Sequence, residues 1–496
     1  MANPTYFSGQ KHAGFPKQMP KDAADEAHKL DDMAVDPQGR LWVLYSKNVG
    51  TYILYYQIYT PSTDSWAAKV EVYPDGTGGA TYSSYGSGKS QIVANRVGDM
   101  MIAFTDGTNA GNAIQKVRVI RNDGTKEAIS NVPNAGGNLT NAATIAVNEC
   151  FDWGYVDGAG TLAAAGTYRV RVIEYDSTAL TWGNERFLYD SNMHGTYQTV
   201  DMYRKTASYS PIDDKVHVCT QVKAGALGTE AYQLMYCADG IAPTFATIPN
   251  HAADSVAVYP FPNVCLAMDN IEAGRGYITL QINAYTTGNE DDVNDSSMFR
   301  EIVDYQIQGL QTPLYFHNHS ASGILGAENY VPILDGTGNV HVILGRDGIA
   351  ISATETKFTS PVPSVGGRFG TSYARRLRSG PIWSGKDDTS NGDEVFYDAD
   401  TDDSNYAQQA IAKPFPGHET MFVGGVRSNA SGGSVTAEEG VWINYADVLG
   451  AAIAPEGGGP VPNCAGQDVL ANDVAHRQFL FDERSFSPLQ DDVGVQ

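Results

Sequence analysis

Two histidines one residue apart, in Phe316-His317-Asn318-His319, would share a face of an extended strand, because side chains alternate along a strand. There they could bind a metal or serve as acid and base, with His341 or His194 as a third ligand from elsewhere in the chain. The plainer reading is a surface or hydrogen-bonding role. Arg375, Arg376 and Arg378 form the one dense basic cluster, and a strand would send Arg376 and Arg378 to the same side, as an anion-binding edge would require. Asp398, Asp400 and Asp402 alternate as in a calcium loop. Asp403 replaces the turn glycine, however, and Gln409 stands where a bidentate Glu belongs, so the choice lies between Ca2+ in another geometry and a solvated acidic loop. No cofactor is required. Gly86-Ser-Gly-Lys-Ser90 has the end of a phosphate loop but neither its upstream glycine nor a following helical pattern, so nucleotide binding is not expected.

A recurring strand phrase must position these groups. Its clearest copy is Met33-Ala-Val-Asp-Pro-Gln-Gly-Arg-Leu-Trp-Val-Leu-Tyr-Ser46, where Asp36 to Gly39 makes the turn and Leu41, Val43 and Tyr45 share a face. Related phrases occupy Gln91–Thr105, Ala142–Val156, Ser208–Val222, Val256–Met268 and Tyr330–Leu344, with a degenerate one at Met421–Tyr445. Their spacing of roughly 50 to 80 residues suits one four-stranded blade per repeat. Within the first, Tyr52–Tyr59 alternates on both faces, as a strand sandwiched between blades should, and Trp66 begins the return. Helical periodicity is weak, with Gly440–Leu449 and the tail as the candidates. The expectation is an all-β chain, a seven-bladed β-propeller over 29–450 with an acidic insertion at 385–404. A polar N-terminal arm (1–28) precedes it, and a Gly/Pro linker (451–463) and a docking tail (464–496) follow.

The run His28-Lys-Leu-Asp-Asp-Met33 leading into that first phrase, with Tyr55-Tyr-Gln-Ile-Tyr59 and Trp66, resembles a blade of the propellers built from bacterial-neuraminidase-type repeats. That group includes sialidases and propeller-type ulvan lyases. A strict sialidase Asp-box, Ser-x-Asp-x-Gly-x-x-Trp, is missing, which argues against sialidase activity. A lyase acting on uronate-containing polysaccharide needs a group that neutralises the carboxylate and a base for the adjacent carbon acid. The resemblance to the ulvan lyases implies His194, Tyr203, Arg204 and His28 in those roles; ordinary hydrogen bonding between blades is the alternative.

The formal charge of −24, from 57 Asp and Glu against 33 Lys and Arg, disfavours nucleic acid and anionic membranes as partners. No apolar segment is long enough to span a membrane, and the first residues lack the pattern of a secretory signal. Cytoplasmic synthesis, followed by a place in a virion or extracellular particle, is therefore expected; the alternative is secretion with the signal removed. The five cysteines have no metal-like spacing, and Cys150, Cys219 and Cys265 sit in strand phrases as small buried side chains. Phe479, Leu480, Phe481 and Phe486 are too few for a domain and suit docking on a neighbouring subunit or back on the propeller. Together with the lack of a complete catalytic set, these features favour a structural or attachment protein of a large particle, such as a phage-like virion tail or surface component, able to bind glycans. The alternative is a polysaccharide lyase, with cell-surface or algal polysaccharide as its partner.

Overall fold

The computed structural model describes residues 17–22, 28–48, 52–74, 90–106, 114–136, 142–157, 169–190, 198–201, 206–224, 231–247, 264–282, 293–308, 315–319, 330–334, 338–345, 370–376, 378, 383–384, 394–397, 404–412, 420–429 and 440–447. These residues form seven antiparallel sheets of four or five strands. The first blade runs outward through β2 (His28–Val35), β3 (Leu41–Asn48) and β4 (Tyr52–Thr60) to an outer strand in two pieces, β5 (Ser65–Trp66) and β6 (Val70–Tyr73). The second has β7 (Gln91–Ala94), β8 (Met100–Asp106), β9 (Ile114–Ile120) and β10 (Ser130–Gly136). In the third come β11 (Ala142–Val147), β12 (Cys150–Asp157), β13 (Arg169–Asp176) and β14 (Thr181–Asp190). The fourth splits its inner strand into β15 (Gln198–Asp201) and β16 (Ala207–Ser210), both paired with β17 (Lys215–Ala224), ahead of β18 (Ala231–Ala238) and β19 (Ile241–Thr247).

In the fifth blade β20 (Val264–Met268) and β21 (Gly276–Ile282) lead to β22 (Val293–Val303), which carries β23 (Gln306–Ile307) and β24 (Tyr315–His319) on its outer side. The sixth repeats this with β25 (Tyr330–Leu334), β26 (Val340–Gly345), β27 (Gly370–Arg376), β28 (Trp383–Ser384) and β29 (Glu394–Tyr397). The seventh comprises β30 (Ser404–Ala412), β31 (Thr420–Asn429), β32 (Gly440–Asp447) and, from the other end of the chain, β1 (Lys17–Gln18). Inner strands pack successively from β30 through β2, β7, β11, β16 and β20 to β25. The fold is a β-propeller. Part of the segment expected as an arm lies within it, because Lys17 pairs with Ile443 and Gln18 with Trp442.

Alternation explains why the blades bury both faces. Leu41, Val43, Tyr45 and Tyr59 pack on Phe422, Val441 and Ile443 of the last blade, while Trp42, Leu44, Leu54 and Tyr56 pack on Ile92, Met100 and Ile102 of the second. A one-residue slip at Asp31, where Leu30 pairs with Tyr45 but Asp32 with Leu44, puts Leu30 and Met33 in the same cluster. It also sends Asp32 toward the second blade, where its carboxylate accepts from the Ile92 N–H at 3.0 Å. Buried arginines tie third strands to outer ones. Arg118 donates to the carbonyls of Val72 and Glu127 at 2.6 and 2.9 Å, and Arg171 to the carbonyl of Pro133 and the carboxylate of Glu185.

Three sequence expectations are corrected. Gly440–Leu449, the helical candidate, forms β32 to Asp447, because Val441 and Ile443 alternate into the core. The phrase at Met421–Tyr445 supplies second and third strands rather than first and second. Arg376 ends β27 and Arg378 lies in the turn beyond it, so they do not share a strand face. Cys219, Cys237 and Cys265 are buried, as small apolar side chains would be, whereas Cys150 is half-buried.

Candidate functional site

Antiparallel connectivity gives the propeller two unlike ends. One holds the turns joining first to second and third to outer strands, including 36–40, 61–64, 95–99, 121–125, 211–214 and 269–275. Side chains stitch this turn end from blade to blade. Arg40 donates to Asn122 Oδ1 at 3.0 Å, Asn95 to the Glu149 carbonyl at 2.6 Å, and Arg186 to Asp239 at 2.9 Å; Arg378 pairs with Asp269 and Glu272. Much of its charge is spent on the scaffold.

Two buried clusters belong to this stitching. His217, fully buried, meets Tyr236 Oη through Nδ1 at 2.8 Å and Asp213 through Nε2 at 3.2 Å, and Tyr305 of the next blade donates to Asp213 at 2.9 Å. Burial holds the imidazole below its ordinary pKa against the pull of Asp213, so at neutral pH it is a neutral hydrogen-bonding bridge. Sequence reasoning missed this cluster. Its signal was a histidine alternating with Val216 and Val218, hence on the opposite face of a core strand.

Asp152, 1% exposed, lies 2.5 Å from Arg186, yet burial pushes its carboxyl up to about 6 and the guanidinium only partly opposes this. The folded protein therefore holds a proton that the unfolded chain, at the ordinary 3.8, has lost, and stability falls as pH rises from about 4 to 6. Asp152→Asn should remove that fall. In urea unfolding at pH 4, 5, 6 and 7, the variant's stability relative to wild type should rise by an amount on the order of 2 kcal/mol across this window. A relative decline would mean that the Arg186 pairing outweighs burial.

The opposite end receives the connections between second and third strands and those from each blade to the next, including 107–113, 158–168, 248–263, 283–292, 320–329 and 346–369. His28 starts β2 at this loop end. It is 7% exposed, wedged against Tyr45 with ring centroids 4.9 Å apart, and Tyr45 in turn stacks on Tyr55. His319 ends β24 here as well, opposite Val293, and His317 pairs with Asp295. Arg375 and Arg376 lie near the turn end, opposite His341 and Val340.

Blade 4 departs from the regular pattern. Its inner strand is split: β15 ends at Asp201, paired with Gln221, and the Cys219 N–H donates to the Thr206 carbonyl at 2.8 Å, so residues five apart in sequence meet partners two apart on β17. Tyr203 and Arg204, and His194 ahead of β15 in sequence, are outside the described residues. So are Asp398, Asp400, Asp402, Phe479, Phe481 and Phe486. Among the described residues no group of three or more His, Cys, Asp or Glu side chains could hold a metal ion, and no helix is long and apolar enough to cross a membrane.

No protein-family model matches this chain, and no curated protein does. Solved structures do match. A PL25 ulvan lyase bound to -[GlcA(1-4)Rha3S]- aligns with a TM-score of 0.47 at 11% identity, over 88% of this chain and 97% of that one. A protein of unknown function from Dyadobacter fermentans DSM 18053 gives 0.39 at 8% identity over 88% and 98%. A subtype N10 neuraminidase-like protein of A/little yellow-shouldered bat/Guatemala/060/2010 gives 0.38 at 10% over 87% and 97%. The chain resembles neuraminidase-type propellers in fold. The propeller assignment itself rests on the order and packing of the seven sheets.

Proposed function

We propose that the chain binds uronate-containing polysaccharide at the loop end and cleaves it by β-elimination at blade 4. The observation carrying this reading is the split of the blade 4 inner strand between Asp201 and Thr206, the stretch of sequence that contains Tyr203 and Arg204. Irregularities of this kind in a repeating sheet concentrate at functional sites. Arg204 supplies a permanent charge for the uronate carboxylate, which acidifies the neighbouring C5–H. Tyr203 or His194 takes that proton as the C5–H electron pair forms the C4–C5 double bond and the C4–O bond breaks, and the departing oxygen receives a proton from the same residue or from water. The net charge of −24 opposes a polyanion only weakly, since charges farther than about 8 Å from the site are screened at physiological salt.

Incubation with ulvan or another uronate-rich polysaccharide should produce unsaturated chain ends, followed by their ultraviolet absorbance. Retention of polysaccharide without new ends would make the protein a glycan-binding attachment propeller, as a virion tail or surface component would be. Neither retention nor cleavage, with an active lyase as control, would remove carbohydrate from the reading altogether.

A further inference from the structure

Among the described residues five large apolar side chains are exposed, and three of them, Val97 (45%), Ile212 (46%) and Ile271 (45%), occupy the same place in three of the repeats. Each lies in a turn joining a first to a second strand, in blades 2, 4 and 5. One device presents them all. A side-chain oxygen two residues earlier accepts the backbone N–H of the apolar residue: Asn95 from Val97 at 3.2 Å, Ser210 from Ile212 at 3.4 Å, and Asp269 from Ile271 at 2.8 Å. In blade 1 Asp36 accepts from Gln38 in the same manner at 3.0 Å, so the turn tolerates a polar residue and does not need an aliphatic one. Isolated exposed aliphatics are ordinary, but their repetition on one end of the ring marks a surface.

The chain itself leaves from that end. Thr420 pairs with Asp447, the last residue of β32, and Phe422, two residues on from Thr420, meets Tyr59 with centroids 6.4 Å apart. Tyr59 Oη donates at 2.6 Å to Asp64, which lies in a turn of the same end. Residues 448–496 follow, and in them Phe479, Leu480, Phe481, Phe486 and Leu489 are crowded into a short stretch between polar residues. Extended chain spans about 3.3 Å per residue, so the residues between Asp447 and Phe479 could reach roughly 100 Å.

We propose that Val97, Ile212 and Ile271 form the docking surface for this chain's own segment 477–489. The stretch gains burial for its phenylalanines and the turn end gains cover for its apolar tips, as burial of apolar area requires. The contact is intramolecular, so it needs no second subunit.

Trypsin cleavage after Arg477 and Arg484 in the full chain, followed by mass spectrometry, tests this. In the triple variant V97S/I212S/I271S, and separately in F479S/F481S, both sites should be cut about tenfold faster than in wild type, because cleavage follows the undocked population. The substituted turn residues are exposed, so the melting temperature of the propeller serves as the folding control. Wild-type protection should not change with protein concentration. Equal cleavage rates in wild type and both variants would overturn the proposal. Loss of protection on dilution would overturn it too, by assigning the surface to a second copy.

Discussion

Asp36→Ala should lower stability by about 3–5 kcal/mol, as a change that leaves buried partners of a carboxylate uncompensated does. Asp36 is fully buried in the first turn of blade 1, where one oxygen accepts the N–H groups of Gln38 at 3.0 Å and Arg40 at 2.9 Å. The other accepts Arg40 Nε at 2.6 Å and the indole N–H of Trp42 at 2.8 Å. Alanine takes the acceptor from all four donors, of which the Trp42 indole N–H is buried while the Arg40 guanidinium, 25% exposed, keeps access to water. Trp42 is 1% exposed and packs on Tyr56 at 4.9 Å, so its indole cannot turn to water without opening the contact with blade 2. The damage should therefore spread to the seam where Arg40 reaches Asn122. Asp36→Asn, which keeps acceptor capacity on one side only, should cost less than alanine but remain measurable. Urea unfolding followed by tryptophan fluorescence checks the series. A loss under about 1 kcal/mol for alanine would mean that the turn is set by its backbone, with Gly39 at φ 73° sufficient to close it.

The strands that were legible in the sequence are those with two buried faces. Leu41 to Tyr45 and Tyr52 to Tyr59 show continuous apolar and aromatic alternation because each residue meets one neighbouring blade or the other. Outer strands carry no such signal. β14, for example, leaves Thr181, Gly183, Asn184, Glu185 and Phe187 exposed, and only Leu188 and Tyr189 are buried. Arg118 and Arg171 read as polar surface in the sequence, yet they are buried, Arg118 donating to the carbonyls of Val72 and Glu127 and Arg171 to the Pro133 carbonyl and the Glu185 carboxylate. The candidate site was legible only as residue types and a family resemblance that drew attention to Tyr203 and Arg204; the split between β15 and β16, which flank them in sequence, is a register mismatch with β17, and strand register is a long-range property. His217 escaped for the same reason, since its partner Tyr305 arrives from another blade.

Under the lyase reading, Arg204→Ala should reduce kcat/KM by about 10²–10³, the cost of removing a principal stabiliser of the charge that develops on the uronate. Arg204→Lys should recover only part of this, because an ammonium offers a point charge where the carboxylate profits from a planar fork. Tyr203→Phe isolates a different step. It removes one hydroxyl, so it should cost about 10²–10⁴ in kcat if Tyr203 takes the C5 proton, with little change in KM, and His194→Ala should then affect kcat less. The reverse order would exchange the two roles. Retention on immobilised polysaccharide separates binding from chemistry: Tyr203→Phe should be retained like wild type, whereas Arg204→Ala should elute at lower salt. The melting temperature of each variant serves as the folding control. A variant set with unchanged rates and unchanged retention would place the polysaccharide site away from blade 4. If Tyr203→Phe instead lost retention and thermal stability together, the interruption would be serving the packing of the inner strands.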